Sequence, residues 1–239
     1  MTLLPTEFKR KFEQDGFVVI PNLLTRKESE AYKHEMKRVV ASVRQEAIAA
    51  GKVAEDVLRT GVYVGVAARS KFYRQAVADE RLLQILALLI GPDIEFLSDK
   101  AVFKDKETEF SSPWHQDWPY WQGSHKISLW VALDDVTPDN GCMKFIPGSH
   151  RSHAVHDGEA GDGLGFGHRL DPDAVDESKA VTAVMEAGSV AFFHDLMLHA
   201  SHPNSTGKDR WVWIPTYRNA HNDDPDYEWA VAARVVRSE

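Results

Sequence analysis

The sequence predicts a mostly β fold, a barrel of two sheets with helices packed on its outside. Three observations carry that prediction. Short apolar runs bounded by turn residues recur between about residues 93 and 219, as strands do. Helix formers with capping signals gather in residues 5–92. At 239 residues with 43% hydrophobic composition, the chain can bury a full core, and barrels of this size commonly form one domain. We therefore expect a single domain over residues 1–239, with a helical scaffold mainly in 5–92 and a barrel core mainly in 93–219.

The N-terminal elements follow from their punctuation. Thr6 can cap a short helix running to about Asp15, Gly16 ends it, and Phe17-Val18-Val19-Ile20 reads as a strand stopped by Pro21. Thr25 and Glu28 form a capping-box pattern ahead of a long run of helix formers, with Gly51 as its terminator. Residues 52–70 are mixed in pattern, and Tyr63 and Arg69 are candidates to reach a pocket from there. Apolar spacing predicts helices over 71–78 and 80–90, the second closed by Gly91-Pro92, both outside the barrel.

Residues 94–104 alternate as a strand, and the polar stretch 105–112 is expected to loop toward Pro113 and Trp114, after which His115 begins another strand. Trp118, Tyr120 and Trp121 crowd that segment, either as the wall of a substrate cavity or as core. Residues 127–133 form a convincing strand, and 134–140 with Gly141 turn into 142–146. The stretch 149–179 is rich in Gly, Asp and His and nearly free of periodicity, so it is expected to be a loop. Gly158, Gly161, Gly163, Gly165 and Gly167 suggest a lid within 156–176. His150, His153, His156 and His168 lack fixed spacing, so a solvated loop or substrate contacts are expected there. Residues 181–185 and 189–193, hinged on Ala187-Gly188, resume strand character, 211–217 reads as a closing strand, and 227–236 is an apolar stretch of unassigned partner.

Composition excludes several function classes. A net charge of -8 and a pI near 5.8 argue against a polyanion-binding surface, which relies on clustered Lys and Arg. The lone Cys142 rules out an internal disulfide and fits a reducing cytoplasm, and no Cys-x-x-Cys offers a zinc site. Glu7, Lys9, Arg10, Lys11, Glu13 and Asp15 leave no apolar stretch for a signal peptide or membrane anchor. The expected partners are a small-molecule substrate and O2, with no nucleic acid and no membrane.

The chemistry centres on Trp114-His115-Gln116-Asp117-Trp118 and a downstream stretch, His194-Asp195-Leu196-Met197-Leu198-His199-Ala200-Ser201. On extended backbone His115 and Asp117 point to one face, so an imidazole and a carboxylate can converge on one point. Two histidines and one carboxylate, with other positions open, is the arrangement by which non-haem Fe(II) oxygenases bind cosubstrate and oxygen. His194, His199 and His202 compete for the third position. Arg210, a permanently charged fork, suits the distal carboxylate of a 2-oxo diacid whose other end chelates the metal, and Ser201, sharing a face with His199, can donate to the same carboxylate.

These motifs, with Asn140-Gly141-Cys142-Met143-Lys144-Phe145-Ile146-Pro147-Gly148-Ser149-His150 and the eleven-residue step from His199 to Arg210, resemble the phytanoyl-CoA dioxygenase family. The resemblance runs from about Phe8 to Tyr217. It implies a double-stranded β-helix, a jelly-roll, cupin-like barrel, working with Fe(II) and 2-oxoglutarate as cosubstrate. It also selects His199 as the third ligand, with His194 as fallback, beside His115 and Asp117. It implies that Arg210 and Ser201 hold 2-oxoglutarate, that Lys104, with Lys100 and Lys106 close by, sits near it, and that Trp130 lines its pocket. The expected function is hydroxylation of a small organic metabolite with release of succinate and CO2. Asp117 disfavours halogenation, since related halogenases lack that carboxylate. The alternative is a metal-binding cupin-like jelly roll without 2-oxoglutarate chemistry.

Overall fold

The computed structural model of the chain describes residues 5–105, 110–156 and 167–238. Its first part holds α1 (Pro5–Asp15), β1 (Phe17–Ile20), α2 (Arg26–Ala49), α3 (Ala54–Arg59), β2 (Val62–Val64), α4 (Val66–Arg69), α5 (Lys71–Ala76) and α6 (Glu80–Ile90). The strands β3 (Ile94–Lys104), β4 (Ile127–Ala132), β5 (Met143–Phe145), β6 (Val181–Ala183), β7 (Val190–His194), β8 (His199–Ser201), β9 (Arg210–Asn219) and β10 (Arg234–Arg237) follow. They build two antiparallel sheets. The larger runs β1-β7-β4-β9-β3-β10, with β2 also paired to β3, and the smaller runs β6-β5-β8. The larger sheet thus draws on more of the chain than residues 93–219: β1 and β2 come from the mainly helical stretch, and β10, from the C-terminal apolar run, finds its partner in β3.

The helices cover the outer face of the large sheet. In α2 the capping box forms as its sequence dictates: the Thr25 hydroxyl accepts from the Glu28 N–H at 3.2 Å, and the Thr25 N–H donates to Glu28 Oε2 at 2.7 Å. Tyr32, Met36, Val39 and Val40 then recur at helical spacing and bury one stripe against Trp213 and its neighbours. In α6, Leu82, Leu83 and Leu86 are buried in the same core, each contributing about 1.5–3 kcal/mol relative to exposure. Between the two sheets lies a second core, including Phe17, Trp130, Phe145, Phe193 and Val212. Gly188 makes the close approach that fastens α2 to the sheet: its φ is +94°, the Leu24 N–H donates to its carbonyl at 2.9 Å, and a Cβ there would lie 2.1 Å from the Leu24 carbonyl oxygen.

Residues 52–70 are more regular than their pattern suggests, forming α3, β2 and α4. Tyr63 and Arg69 do not line the cavity that holds the triad, and Arg69 borders a separate surface pocket with Lys71 and Arg74 instead. The Tyr63 hydroxyl donates to Val57 O at 3.1 Å and accepts from Arg44 Nε at 3.0 Å, while Arg69 pairs with Glu46 at 2.7 Å. The alternation of β2 turns Val62 and Val64 toward the interior cavity instead. His115 does not begin a strand either; it makes a single bridge, and a 3-10 turn (Trp118–Tyr120) follows at once. Of the long loop, the 3-10 turns Ser149–Arg151, Pro172–Ala174 and Glu177–Lys179 are described. Gly158, Gly161, Gly163 and Gly165 of the expected lid lie outside the described residues. No described helix is long and apolar enough to cross a membrane.

Candidate metal centre

His115 reaches the site opposite His199. The two residues exchange both backbone hydrogen bonds, at 3.1 and 3.0 Å, in an isolated antiparallel bridge, which sets their imidazole centroids 4.1 Å apart. Asp117 arrives by a different route from the extended-strand reading. Its backbone is helical, at φ -78° and ψ -28°, and its N–H and that of Trp118 both donate to the Asp195 carbonyl, at 2.9 and 3.0 Å. Asp117 Oδ1 then stands 3.8 Å from His115 Nε2 and 3.9 Å from His199 Nε2, and all three side chains are buried. The donor atoms of the three lie within 4.8 Å of one another.

Both imidazoles carry their protons on the far nitrogen. His115 Nδ1 sits 2.8 Å from the Pro113 carbonyl and His199 Nδ1 2.8 Å from the Met197 carbonyl. A carbonyl only accepts, so each Nδ1–H donates and each Nε2 lone pair is left for a metal. Burial, with His199 and Lys100 adding like charge against the pull of Asp117, lowers His115 to about 3, and burial lowers His199 as well. Neutral imidazoles beside one carboxylate fit a divalent cation.

Gln116 holds this turn in place. Its buried amide donates to Ser152 O at 2.9 Å and Leu196 O at 2.7 Å, and its Oε1 accepts from the Ala154 N–H at 2.9 Å. Its backbone N–H donates to His156 Nε2 at 3.0 Å. His156, expected in solvated loop or against substrate, therefore supports the backbone between two of the triad residues.

A cationic pocket adjoins the triad. Lys104 and Arg210 are direct partners across β3 and β9. The buried Arg210 gives Nε to Asn140 O at 3.3 Å and lies over the Trp130 ring at 5.5 Å, while its Nη1 is sealed from solvent with no partner among the described residues. An unpartnered buried guanidinium nitrogen is costly unless an acceptor completes it. Burial lowers Arg210 to about 10. Lys104 Nζ donates to Ser201 Oγ at 2.8 Å and to the His202 carbonyl, and burial with the neighbouring Arg210 charge lowers it to about 6. Ser201 Oγ also accepts from the Ser112 N–H at 3.0 Å. Gly141, at φ +94°, makes room for this arrangement, because a Cβ there would lie 2.8 Å from Lys104 Cδ.

One cavity of about 940 Å³ is lined by His115, Asp117, His199, Lys104, Trp130, Ser201 and Arg210 together. Tyr120 and Trp121 line it too, whereas Trp118 turns away, packing on His153 at 4.4 Å and donating to Gly123 O at 3.2 Å. Sequence reasoning did not single out Ser98, Thr216 or Trp229, and it took Lys100 only as a rival of Lys104. Alternation along β3 places Ser98, Lys100, Val102 and Lys104 on one face and was a readable signal. Trp229 had none, since it comes from the tail. That tail is pinned by Asp224, which pairs with Lys126 and Arg218, each at 2.9 Å, and accepts from Ser124 Oγ at 2.6 Å.

His194 lies apart from the triad. It clusters with His125 and Asp195, and its Nδ1 accepts from the Leu196 N–H at 3.1 Å. Asp195 is fully occupied as scaffold, accepting from Trp121 Nε1 at 3.0 Å and the Lys126 N–H at 2.9 Å. His202 Nε2 is sealed with no partner among the described residues, and His202 is absent from the cavity wall.

Comparison with known proteins follows this geometry. The family model described as phytanoyl-CoA dioxygenase (PhyH) matches residues 12–212. Phytanoyl-CoA dioxygenase, peroxisomal, of Bos taurus is 26% identical over 225 residues, covering 85% of this chain and 65% of that protein. Ectoine dioxygenase of Stutzerimonas stutzeri is 26% identical over 241 residues, covering 92% of this chain and 78% of that protein. The chain thus spans 65% of the length of the mammalian relatives it matches. Among solved structures, the non-heme monooxygenase ThoJ in its apo form superposes with a TM-score of 0.77 at 27% identity, over 97% of this chain and 84% of that one.

Proposed function

The chain belongs to the phytanoyl-CoA dioxygenase family, and from that premise we propose that it is an Fe(II)- and 2-oxoglutarate-dependent oxygenase acting on a small organic substrate. His115, Asp117 and His199 hold the iron. Arg210 and Ser201 hold 2-oxoglutarate, with Lys104 beside it and Trp130 under the guanidinium. When bound, iron and 2-oxoglutarate supply the activation of dioxygen, with succinate and CO2 as co-products and a hydroxylated metabolite as the product. The two packed antiparallel sheets are read as a double-stranded β-helix, and residues 1–239 as one domain.

One observation carries this reading: Arg210, whose buried Nη1 has no partner among the described residues, lines the cavity whose wall also holds the His115, Asp117 and His199 set. A metal-binding barrel without 2-oxo acid chemistry has no use for a buried guanidinium there. Each residue then has a task that its own geometry supports. Pro113 and Met197 fix the tautomers, so the Nε2 atoms face the metal. Arg210 neutralises and orients a dicarboxylate with Lys104 donating beside it, and Tyr120 and Trp121 exclude water from the reacting end.

The test is anaerobic. Protein loaded with Fe(II) is titrated with 2-oxoglutarate, and its absorbance and melting temperature are followed. One iron per chain, a chelate absorption band and a raised melting temperature are expected, then succinate when oxygen is admitted with substrate. Stoichiometric metal with no response to 2-oxoglutarate would instead favour the cupin-like binding protein.

A further inference from the structure

Three donors in the wall of the main cavity have no described acceptor. Lys100 Nζ forms no hydrogen bond or ion pair among the described residues; the Trp121 ring lies 5.8 Å away, and His115 and His199 are near enough to feel its charge. Ser98 Oγ and Trp229 Nε1 are each sealed from solvent without a partner, and both residues line that same cavity. Ser98 and Lys100 share a face of β3, and Trp229 packs on Trp121 with ring centroids 5.4 Å apart, so the three surround one region. Buried polar groups in native proteins are almost always paired. Two sealed, unpaired donors beside a half-buried ammonium without an acceptor point to a ligand that supplies acceptors.

That region is separate from the 2-oxoglutarate end. The β3–β9 register sets Lys104 opposite Arg210 but Lys100 opposite Ile214 and Ser98 opposite Thr216. At about 3.3 Å per residue, Lys100 stands roughly 13 Å along the strand from Lys104. Lys104 is already engaged by Ser201 and the His202 carbonyl, whereas Lys100 is not. The neighbouring Asp99 does not serve Lys100, because its carboxylate accepts from the Ala67 N–H at 3.0 Å and from Trp213 Nε1 at 2.8 Å. Val64 and Ile214 lie directly across the sheet from Lys100 and the Trp121 ring faces it, and Val62, Val102 and Tyr120 line the same cavity.

We infer that Lys100 receives a carboxylate of the substrate, with the Ser98 hydroxyl and the Trp229 N–H as supporting donors, and that the rest of the substrate is an apolar, ring-stacking body. The inference rests on the oxygenase reading above and narrows its substrate class to organic acids. A single ammonium with two neutral donors matches one carboxylate better than a phosphate group, which calls for a cluster of cations or an Arg fork. The other cation near this part of the wall, Arg59, pairs with Glu55 at 2.8 Å.

The probes are phenylpropionate, phenylvalerate and decanoate, each against its primary amide. Binding is measured by anaerobic calorimetry on the Fe(II)- and 2-oxoglutarate-loaded protein, and again on metal-free protein. At least one acid is expected to bind about tenfold or more tighter than its amide, as a charged hydrogen bond implies. Lys100→Met should abolish that preference, Lys100→Arg should keep most of it, and Ser98→Ala and Trp229→Phe should each reduce it several-fold, with 2-oxoglutarate affinity held in all four. Equal binding of acids and amides by the wild-type protein, a preference that survives Lys100→Met, or no acid binding at all would overturn the inference. Failure to bind 2-oxoglutarate is a different result: it sinks the oxygenase reading, while the acid–amide comparison on metal-free protein still judges Lys100.

Discussion

His115 and His199, 84 residues apart in the chain, face each other across a bridge in which each donates its N–H to the other's carbonyl. The pairing makes the two imidazoles a geometric unit: moving either backbone moves both lone pairs. Asp117 completes the unit from a helical turn hung on the Asp195 carbonyl.

His199→Ala should lose stoichiometric Fe(II), because the remaining pair leaves one position of the proposed triad open. His194→Ala should keep it, since His194 is committed to Leu196 and Asp195 outside the triad. Iron per chain, measured by elemental analysis after anaerobic loading, decides the matter. Retention by His199→Ala with loss by His194→Ala would reassign the ligand.

Arg210→Lys keeps a charge but loses the planar fork and the atom now without a partner. The apparent KM for 2-oxoglutarate should rise about tenfold or more, from a charged hydrogen bond of roughly 1.5–3 kcal/mol. An unchanged KM removes Arg210 from the cosubstrate site.

Lys104 makes metal-free stability depend on pH. Its folded value of about 6 lies below the roughly 10.4 of a free lysine. Between those values the unfolded chain holds a proton that the native chain lacks, so the stability from this group is full above the unfolded value and lost as pH falls toward about 6. Denaturation of the wild-type protein and Lys104→Met at a series of pH values should therefore show stability rising more steeply with pH in the wild type. Parallel curves would mean that Lys104 stays charged in the fold.

Gln116→Ala should cost about 1–3 kcal/mol, because it strands the buried Leu196 carbonyl, whereas water can reach the Ser152 carbonyl and the Ala154 N–H that it also releases. It should also weaken iron binding, since it loosens the backbone between His115 and Asp117. Urea unfolding and an iron titration test both, and a loss of stability with unchanged iron affinity would confine Gln116 to the fold.

The helices were legible in the sequence because their signals are local. The Thr25–Glu28 box, Gly91 and the leucines of α6 sit within a turn or two of what they control. The residues gathered at the centre were legible by type and by resemblance, but the reason for their convergence was not. Period-two alternation was assumed for His115 and Asp117, and the helical backbone of Asp117 breaks it. The working geometry depends instead on the long-range bridge to His199, which no local pattern encodes. Lys100 and Ser98 carried a readable alternation, but their lack of partners emerges only once every nearby acceptor has been placed. Trp229 was invisible because its position is fixed by Asp224 reaching Lys126 and Arg218, residues distant in sequence.

That tether divides the labour along the chain. The triad, Lys104 and Arg210 all lie within residues 12–212, the span shared with the family, whereas Trp229 and the Asp224 that secures it fall after it. Part of the cavity wall, at Trp229, therefore comes from outside the matched span that holds the proposed iron and cosubstrate residues. An exchanged tail that keeps Asp224 would change the wall at Trp229 while leaving the proposed iron ligands in place, and the two could then be altered one at a time.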